Sequence, residues 1–409
     1  MVYEKIGVMR KLLVLVALAI ILLIGCEPKN QPNELVSISV APIYTGDYIV
    51  GDTITNEDIT VNALYTDGSV KAVTAWTTEE DFSVATANKE IIISYAEGDV
   101  VKTSKLLITI VDAYEITSTF SSDVNYLPDD ATGTFGAYNP FNPHLYVEFG
   151  TWPQSLKEDS VAIQERQKKV VGYFTYCAGS DGNWYCKVPH KDGNDCSWFK
   201  VEPIKWATNG SKLIAENGLM ANIPYYDDRE ERLIESEIIY PNNYQHSKIR
   251  AFLNGLSYNK GGVICDEFKD KGFLQTAFSA EAQEKILEAE VDNSCAYSNK
   301  YSCANTRDKI FLASDYDVSK DGSNMFLKHR GRDYLILCQR ESTAFAIANC
   351  PGVYSSCILL RSPSDLSSFG ILHGVNSEWG PREEPLGRGF YHSDVDDVNA
   401  LIVPILSIE

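Results

Sequence analysis

The sequence predicts a multidomain fold in which an all-β sandwich precedes a larger α+β domain with an antiparallel sheet. A chain of 409 residues is long for one domain, and two or three are expected. Residues 34–113 contain short alternating apolar runs and no cysteine, whereas residues 114–409 mix strand-like runs with two helix signals. The nine cysteines that follow Cys26 all lie between Cys177 and Cys357. The second segment is therefore expected to be the disulfide-rich one.

The N-terminus has the layout of an export signal. Arg10 and Lys11 precede an unbroken apolar run at residues 12–24, which is shorter than the ~20 residues that a membrane-spanning helix needs. The run ends in Leu23-Ile-Gly-Cys26, which resembles the lipobox of bacterial lipoproteins. This resemblance implies that Cys26 is the lipid-attachment residue and carries acyl chains such as palmitate. The alternative is an ordinary signal peptide whose cysteine is incidental.

Lipidation after export would place the mature protein on a bacterial membrane outside the cytoplasm. Residues 1–26 are then the signal peptide, and the polar, proline-containing residues 27–33 form a tether. Acyl chains contribute about 0.8 kcal/mol per buried CH₂ and so hold the protein firmly. Residue 27 is glutamate rather than aspartate, which by resemblance to lipoprotein sorting favours the outer membrane and the cell surface.

The composition is strongly acidic. The whole chain has a net charge of −20, and loss of residues 1–26 removes three basic and one acidic side chain and leaves −22. Because such a surface repels phosphate backbones and anionic lipids, no nucleic-acid partner is expected, and the lipid anchor is the expected membrane contact. The sequence contains no P-loop, dinucleotide fingerprint or G-x-S-x-G elbow, and no cofactor is predicted.

Residues 34–113 alternate like the strands of a sandwich, with turn signals between the runs. Tyr48-Ile-Val-Gly-Asp52, the stretch from Val61 to Ser69 (VNALYTDGS) and Tyr95 resemble the bacterial immunoglobulin-like domain family. The resemblance implies a spacer in a surface protein, with no chemistry of its own. A carbohydrate-binding role is the alternative, for which Trp76 is the aromatic residue available.

Residues 114–409 combine strands and helices. Runs at residues 171–177 and 183–188 flank a glycine-rich turn and predict a hairpin. A short helix is predicted from Ser247 to Gly255, and a second begins at Ser279 as N-cap, with Ile286 and Leu287 on its apolar side. Further strands are predicted at residues 309–312, 334–337, 358–360 and 400–403.

The order of motifs between residues 145 and 409 resembles a family of bacterial surface domains of unknown function. Its layout is similar to the C-type-lectin-like fold of formylglycine-generating enzymes. Two segments depart from the family pattern, Ile358-Leu359 in place of paired tryptophans and Val403-Pro-Ile-Leu406 in place of R-P-A-L. The motifs that carry the resemblance are Trp152-Pro-Gln154, Gly179-Ser-Asp-Gly182, Pro203-Ile-Lys-Trp206, Ser247 with Arg250 and Asn254, Ala277-Phe-Ser279, Asp308-Lys-Ile-Phe-Leu-Ala-Ser314 and Leu360-Arg-Ser-Pro363.

Cysteines in an exported protein are expected to form disulfides, because the compartment is oxidising. An odd number leaves at least one unpaired within the chain. A redox-active or metal-holding pair among Cys338, Cys350 and Cys357 is the alternative. The disulfide candidates are Cys177, Cys186, Cys196, Cys265, Cys295, Cys303, Cys338, Cys350 and Cys357.

Aromatic residues in loop-like segments are the strongest ligand-binding signal, since they supply contact area at small entropic cost. Asp394 and Asp396 are the candidate metal ligands, with a solvated acidic loop as the alternative. No catalytic residue is predicted. The candidate ligand-binding residues are Tyr138, Trp184, Trp198, Tyr354 and Trp379.

These patterns favour a non-catalytic surface lipoprotein whose C-terminal domain binds an extracellular protein or glycan, in adhesion or recognition. An extracellular enzyme of unknown reaction and a structural envelope lipoprotein are the alternatives. Catalysis predicts a pocket with polar groups of perturbed pKa, whereas binding predicts a flatter surface.

Overall fold

The protein divides into two compact units, which we name the N-terminal unit (Met1–Asp112) and the head (Ala113–Glu409). Among the residues described, no helix has the length and apolar composition to cross a membrane. The structure, a computed structural model, describes residues 33–119, 121–127, 146–189, 195–208, 212–294, 300–318, 342–350, 352, 357–364, 367, 370–375 and 390–409.

The N-terminal unit consists of two small sheets. One has the order β1-β3-β4 and the other β2-β7-β6-β5, and every pairing is antiparallel except that of β2 with β7. The strands are β1 (Leu35–Pro42), β2 (Tyr48–Ile49), β3 (Ile59–Tyr65), β4 (Val70–Val73), β5 (Trp76–Thr77), β6 (Thr86–Glu97) and β7 (Val100–Val111).

Alternating side chains from both sheets form the core of the N-terminal unit. Ile59, Val61 and Ala63 on β3 are buried, as are Ile91 and Ile93 on β6. Burial of one aliphatic side chain of this size contributes about 1.5–3 kcal/mol, so this period-two pattern fixes which face of each strand points inward.

The head is built from many strands and few helical turns. Its helices are α1 (Lys248–Asn254), α2 (Phe273–Ala277), α3 (Ala280–Lys285), α4 (Asp315–Val318) and α5 (Ala344–Asn349), with a 3₁₀ turn at Tyr244–His246. Its strands are β8 (Asn125–Tyr126), β9 (Tyr146–Leu156), β10 (Ile163–Val171), β11 (Phe174–Gly179), β12 (Trp184–Pro189), β13 (Cys196–Thr208), β14 (Lys212–Ala215), β15 (Arg232–Ile234), β16 (Glu237–Ile239), β17 (Tyr258–Lys260), β18 (Val263–Cys265), β19 (Ile286–Leu287), β20 (Ala289–Val291), β21 (Thr306–Asp308), β22 (Ile310–Phe311), β23 (Cys357–Pro363), β24 (Gly370–Val375), β25 (Phe390–Asp394) and β26 (Ile405–Ile408).

One large antiparallel sheet organises the head. Its main path is β10-β11-β12-β13-β14-β26-β19, and β9, with β8 beside it, also pairs with β13. A three-stranded sheet, β23-β24-β25, and the hairpins β15-β16, β17-β18 and β20-β21 accompany it. The described residues are therefore mostly strand, arranged in several sheets, and the helices of the head are short.

Two fully buried tryptophans lie at the centre of the head core. The indole of Trp152 donates to the carbonyl oxygen of Leu219 at 2.9 Å, and that of Trp206 donates to the carbonyl oxygen of Phe149 at 2.7 Å. A buried indole N–H needs such a partner, because an unsatisfied donor costs about 1–3 kcal/mol. The tryptophans of the W-P-Q and P-I-x-W motifs are thus core residues.

Both predicted helix starts are confirmed. The Ser247 side chain accepts from the Arg250 amide at the start of α1, and Gly255 ends that helix at φ +67°. Ser279 caps α3 in the same way. The hairpin predicted around the glycine-rich turn is formed by β11 and β12.

Two boundaries in the head differ from the prediction. Helix α3 ends at Lys285, and Ile286-Leu287 form β19 on the edge of the large sheet, because pairing with β26 satisfies their backbone and buries Ile286. In the predicted strand at residues 400–403, Leu401 and Ile402 form isolated bridges and no strand is present, and the last strand is β26. The strand predicted at residues 334–337 lies outside the described residues.

Candidate functional site

Two of the five aromatic residues predicted to contact a ligand lie within the described chain. Trp184 on β12 and Trp198 on β13 are both half-buried. Trp198 is the cross-strand partner of Lys187, so these two side chains share one face of the sheet. Side chains alternate between the two faces along a strand, and Lys187 is an odd number of positions from Trp184 on β12. The two indoles therefore point to opposite faces. A lysine ammonium lies over each ring, Lys169 at 4.8 Å from the Trp184 centroid and Lys187 at 5.2 Å from that of Trp198.

These two tryptophans therefore do not share one flat binding platform. The remaining aromatic candidates lie outside the described residues, as does the lipid-attachment candidate Cys26. They are Tyr138, Tyr354 and Trp379.

Asp394 and Asp396 are close together and share an arginine. Arg229 places Nη1 at 2.7 Å from Asp394 Oδ2 and Nε at 3.0 Å from Asp396 Oδ1. A guanidinium thus occupies the position between the carboxylates where a cation would bind. Within the described ranges, no group of three or more His, Cys, Asp or Glu side chains is placed to hold a metal ion.

Seven of the nine candidate disulfide cysteines are described, and all seven carry free thiols here. Cys177 is paired with Tyr185, and Cys186 with Tyr176, which puts the two thiols on opposite faces of the hairpin. A bridge between Cys177 and Cys186, suggested by their positions on its two arms, is therefore incompatible with the register. Cys295 and Cys338 lie outside the described residues.

The buried thiols are poor nucleophiles. Burial raises the pKa of Cys186 and the pKa of Cys357 to about 12. Burial and the nearby Glu165 carboxylate raise the pKa of Cys177 to about 11. Because the thiolate is the reactive form, none of these three is activated at neutral pH.

The motif residues of α1 fasten the helix to the strands behind it. Arg250 Nε lies 2.8 Å from Oδ1 of Asp308, whose side chain has no exposed surface. The side-chain amide of Asn254 donates to the Ile310 carbonyl at 2.8 Å, and its oxygen accepts from the amides of Lys309 and Ile310. The motif around Ser247, Arg250 and Asn254 and the motif that begins at Asp308 are therefore in contact with each other.

Arg361 of the L-R-S-P motif makes a second joint. Its Nη1 lies 2.8 Å from Asp317 Oδ2, and its Nη2 donates to the Asp292 carbonyl at 2.9 Å. The next residue, Ser362, donates to the buried Asp315 at 2.7 Å. These bonds join β23 to α4 and to the residue that follows β20.

A cleft opens where two small hairpins meet the start of α1. We name it the hairpin cleft. It has a volume of about 290 Å³. The hairpins are β15-β16 and β17-β18. Residues that line it include Ile234, His246, Arg250, Leu256, Tyr258 and Ile264.

Apolar side chains project from both hairpins into solvent. Leu233 and Ile238, which are cross-strand partners on the first hairpin, are 66% and 59% exposed. Val263 and Ile264, next to the turn of the second hairpin, are 68% and 66% exposed. Of these four side chains, Ile264 lines the hairpin cleft, whereas Leu233 and Ile238 lie on the face of the first hairpin opposite to Ile234, which lines it. Each hairpin thus carries two exposed apolar side chains, unlike the isolated ones that any surface contains.

Buried ion pairs hold the second hairpin in place. Asp227 Oδ1 lies 2.9 Å from Lys248 Nζ, and its Oδ2 accepts from the Tyr258 hydroxyl at 2.7 Å. Lys260 and Glu267 extend the same network. Burial alone would raise the pKa of Asp227, but the bonds from Lys248 and Tyr258 outweigh it, so its pKa is lowered and the carboxylate stays ionised.

The first hairpin combines an anchored base with a strained tip. Arg232 is buried, donates from Nη2 to the His246 carbonyl at 2.8 Å, and stacks on Tyr226 at 3.8 Å. At the tip, Glu235 and Ser236 adopt φ of +49° and +72°. Non-glycine residues pay about 1–2 kcal/mol each in this left-handed region, where Asn-Gly is preferred.

The polar groups of the hairpin cleft do not form a catalytic pair. Ser247 Oγ donates to the Tyr244 carbonyl at 2.8 Å while it caps α1, so its hydroxyl is already committed. Burial, with help from Arg232 and Arg250, lowers the pKa of His246 and keeps the imidazole neutral at pH 7. The cleft offers apolar side chains beside hydrogen-bonding groups, among them the ion-paired Arg250.

Sequence reasoning missed this cleft. The Gly261-Gly262 turn, with φ of +56° and +88°, was the available signal for the second hairpin, since a Gly-Gly pair between apolar residues predicts a tight hairpin. No comparable signal marks the first hairpin, because Glu235-Ser236 is an unfavourable turn pair.

Comparison with known proteins adds one finding. Residues 209–378 match a family described only as a domain of unknown function (DUF6273), and this domain is present in the chain. The matched range contains both hairpins of the cleft and α1. No curated protein and no solved structure matches the chain.

Proposed function

We propose that this chain is a lipid-anchored bacterial cell-surface protein whose head binds an extracellular protein at the hairpin cleft. The observation that carries the proposal is that both hairpins bordering the cleft are fastened at the base and carry exposed apolar side chains, which are Leu233, Ile238, Val263 and Ile264. Interface energy is concentrated in a few large apolar residues that become fully desolvated. A protein fits this surface better than a glycan does, because the exposed apolar side chains of both hairpins are aliphatic rather than aromatic.

Rigidity of the two hairpins supports binding. Both are fastened at the base, by Arg232 on Tyr226 and by Lys248 on Asp227, so little conformational entropy remains to be lost when a partner docks. The exposed acids Glu235 and Glu237 surround the apolar tip of the first hairpin. We therefore expect a partner with an apolar contact surface and a basic rim.

The remaining parts of the chain take the roles that their sequence resemblances imply. Cys26 carries the lipid, residues 27–33 form the tether, and the N-terminal unit is an immunoglobulin-like spacer. For the head we retain the C-type-lectin-like expectation, in which helices pack on a sheet and a long loop region displays the variable surface. The proposed site of anchoring is the outer membrane or cell surface.

The test uses the purified full chain on an array of immobilised extracellular-matrix proteins and glycans. One variant changes Leu233, Ile238, Val263 and Ile264 to serine. A matched control changes Val170 to serine, because Val170 is apolar and 76% exposed on β10, belongs to neither hairpin and does not line the cleft. Circular dichroism verifies that both variants are folded.

We expect the wild-type chain and the Val170→Ser control to bind the same matrix protein, and the fourfold variant to lose at least about tenfold in affinity, which is 1.4 kcal/mol. Equal binding by all three proteins contradicts the cleft as the site. Binding to glycans alone, or to no probe, contradicts the proposed function.

A further inference from the structure

A groove of about 690 Å³ opens at one end of the N-terminal unit. Residues 51–56, 74, 76–78 and 80–83 supply its lining. Pro42, the last residue of β1, pairs with Ile59, which follows the groove residues 51–56 in the chain. The groove therefore lies at the end of the unit where β1 finishes, opposite the end at which the chain enters. Its volume is within the roughly 300–1,000 Å³ of small-molecule sites.

One wall of the groove is a fixed indole. Trp76 is half-buried on β5, and its Nε1 donates to Asn56 Oδ1 at 2.6 Å. The backbone of Trp76 is paired with Tyr95, which fixes the strand that carries the ring. An aromatic ring held in this way presents an apolar face whose orientation costs no entropy on binding.

Most of the remaining lining is polar, although the buried side chains of Ile54 and Phe82 also contribute to it. Exposed threonines, among them Thr74 and Thr77, supply hydroxyls, and Asp52, Glu80 and Asp81 supply carboxylates. Lys89, 3.9 Å from Glu80, offsets part of this charge, and the groove keeps a negative balance that repels anionic ligands. Its carboxylates accept hydrogen bonds from hydroxyl groups. An indole wall among hydroxyls and carboxylates suits a ligand that is apolar on one face and rich in hydroxyl groups at its edges.

We infer that this groove binds a neutral saccharide, with a pyranose ring against Trp76 and its hydroxyls directed at Asp52 and Glu80. This site would make the N-terminal unit a second binding module, independent of the hairpin cleft. It would hold the protein on polysaccharide near the cell while the head engages its own partner.

The test is isothermal titration of the full chain with neutral hexasaccharides of glucose, mannose, xylose and N-acetylglucosamine, and with a sialylated oligosaccharide as the anionic probe. Three substitutions are compared, Trp76→Ala, Trp76→Phe and Glu80→Gln. Leu107→Ala is the control, because Leu107 is exposed on β7 of the same unit and does not line the groove.

At least one neutral hexasaccharide is expected to bind. Trp76→Ala weakens binding about tenfold or more, whereas Trp76→Phe retains most of it because a ring remains. Glu80→Gln weakens binding although the Trp76 ring remains, and Leu107→Ala has no effect. Thermal unfolding of Trp76→Ala shows whether weaker binding comes from loss of the ring or from loss of the fold.

Binding of the sialylated probe in preference to every neutral one overturns the inference. It is also overturned if no neutral hexasaccharide binds or if Trp76→Ala binds normally. All four substitutions leave the head unchanged, so these outcomes are independent of the array test of the hairpin cleft.

Discussion

Replacement of Arg250 by alanine is the most informative perturbation of the head. Arg250 Nε lies 2.8 Å and 3.1 Å from the two carboxylate oxygens of Asp308, and the Asp308 side chain has no exposed surface. Thr306 also donates to this carboxylate at 2.6 Å. Without Arg250, this buried charge would keep the neutral hydrogen bond from Thr306 and lose the arginine that is bonded to it.

Removal of one partner from a buried ion pair costs about 3–5 kcal/mol, because the remaining charge is neither hydrated nor compensated. We expect a loss in that range for Arg250→Ala. Arg307→Ala is the matched control: it removes an arginine–carboxylate pair of the same type, with Glu288, from the solvent-exposed surface. Solvent screens that pair, and its removal is expected to leave stability nearly unchanged.

The pH dependence follows from the pKa of Asp308. Burial raises this pKa above its ordinary value, and Arg250 opposes that shift. In Arg250→Ala the pKa rises further, so the carboxyl group takes up a proton at a higher pH than in the unfolded chain. Protonation removes the uncompensated charge. The stability deficit of the variant is therefore largest at neutral pH and shrinks as the pH falls through the folded-state pKa.

Urea unfolding followed by tryptophan fluorescence measures this effect, because five of the six tryptophans lie in the head. Unfolding free energies are compared for wild type, Arg250→Ala and Arg307→Ala at neutral and at acidic pH. A deficit no larger than that of the control would refute the argument from burial. A deficit that grows on acidification would refute the assigned direction of the pKa shift.

Three further predictions concern separate features of the chain. Replacement of Glu235-Ser236 by Asn-Gly relieves two left-handed non-glycine residues and is expected to stabilise the head by about 1–2 kcal/mol in thermal unfolding. Gly172→Ala is expected to destabilise it by more than about 1 kcal/mol in the same assay, because φ is +53° and a Cβ would come within 2.7 Å of the Thr276 backbone. In the reduced protein at neutral pH, Cys186 should react with iodoacetamide only after unfolding, since its pKa is about 12; rapid labelling of the folded chain would contradict this.

Local signals in the sequence predicted local structure well. Ser247 and Ser279 start helices because each hydroxyl accepts a hydrogen bond from the amide three residues later, an interaction that a short stretch of sequence reveals. The glycine-rich turn of the β11-β12 hairpin likewise depends only on neighbouring residues. Ile286-Leu287 were expected to continue a helix. Their partner strand is β26, about 120 residues later, and no short-range pattern reveals it.

The candidate site was harder to predict from the sequence for the same reason, because it depends on contacts between residues that are far apart in the chain. The sequence resemblance grouped Arg250, Asp308 and Arg361 as motif residues, and only their contacts show that they join elements to one another. Trp184 and Trp198 look equivalent in the sequence, but strand register places them on opposite faces. The hairpin cleft depends on two short hairpins whose exposed apolar residues a sequence pattern does not distinguish from buried ones.

Hydrogen–deuterium exchange of the full chain, with and without the matrix protein that it captures, tests whether the two hairpins of the cleft are the binding surface. We expect protection at residues 232–239 and 258–265, which form these hairpins, and unchanged exchange at the β12 and β13 residues around Trp184 and Trp198. Protection confined to β12 and β13, with both hairpins exchanging as in the free protein, would contradict it.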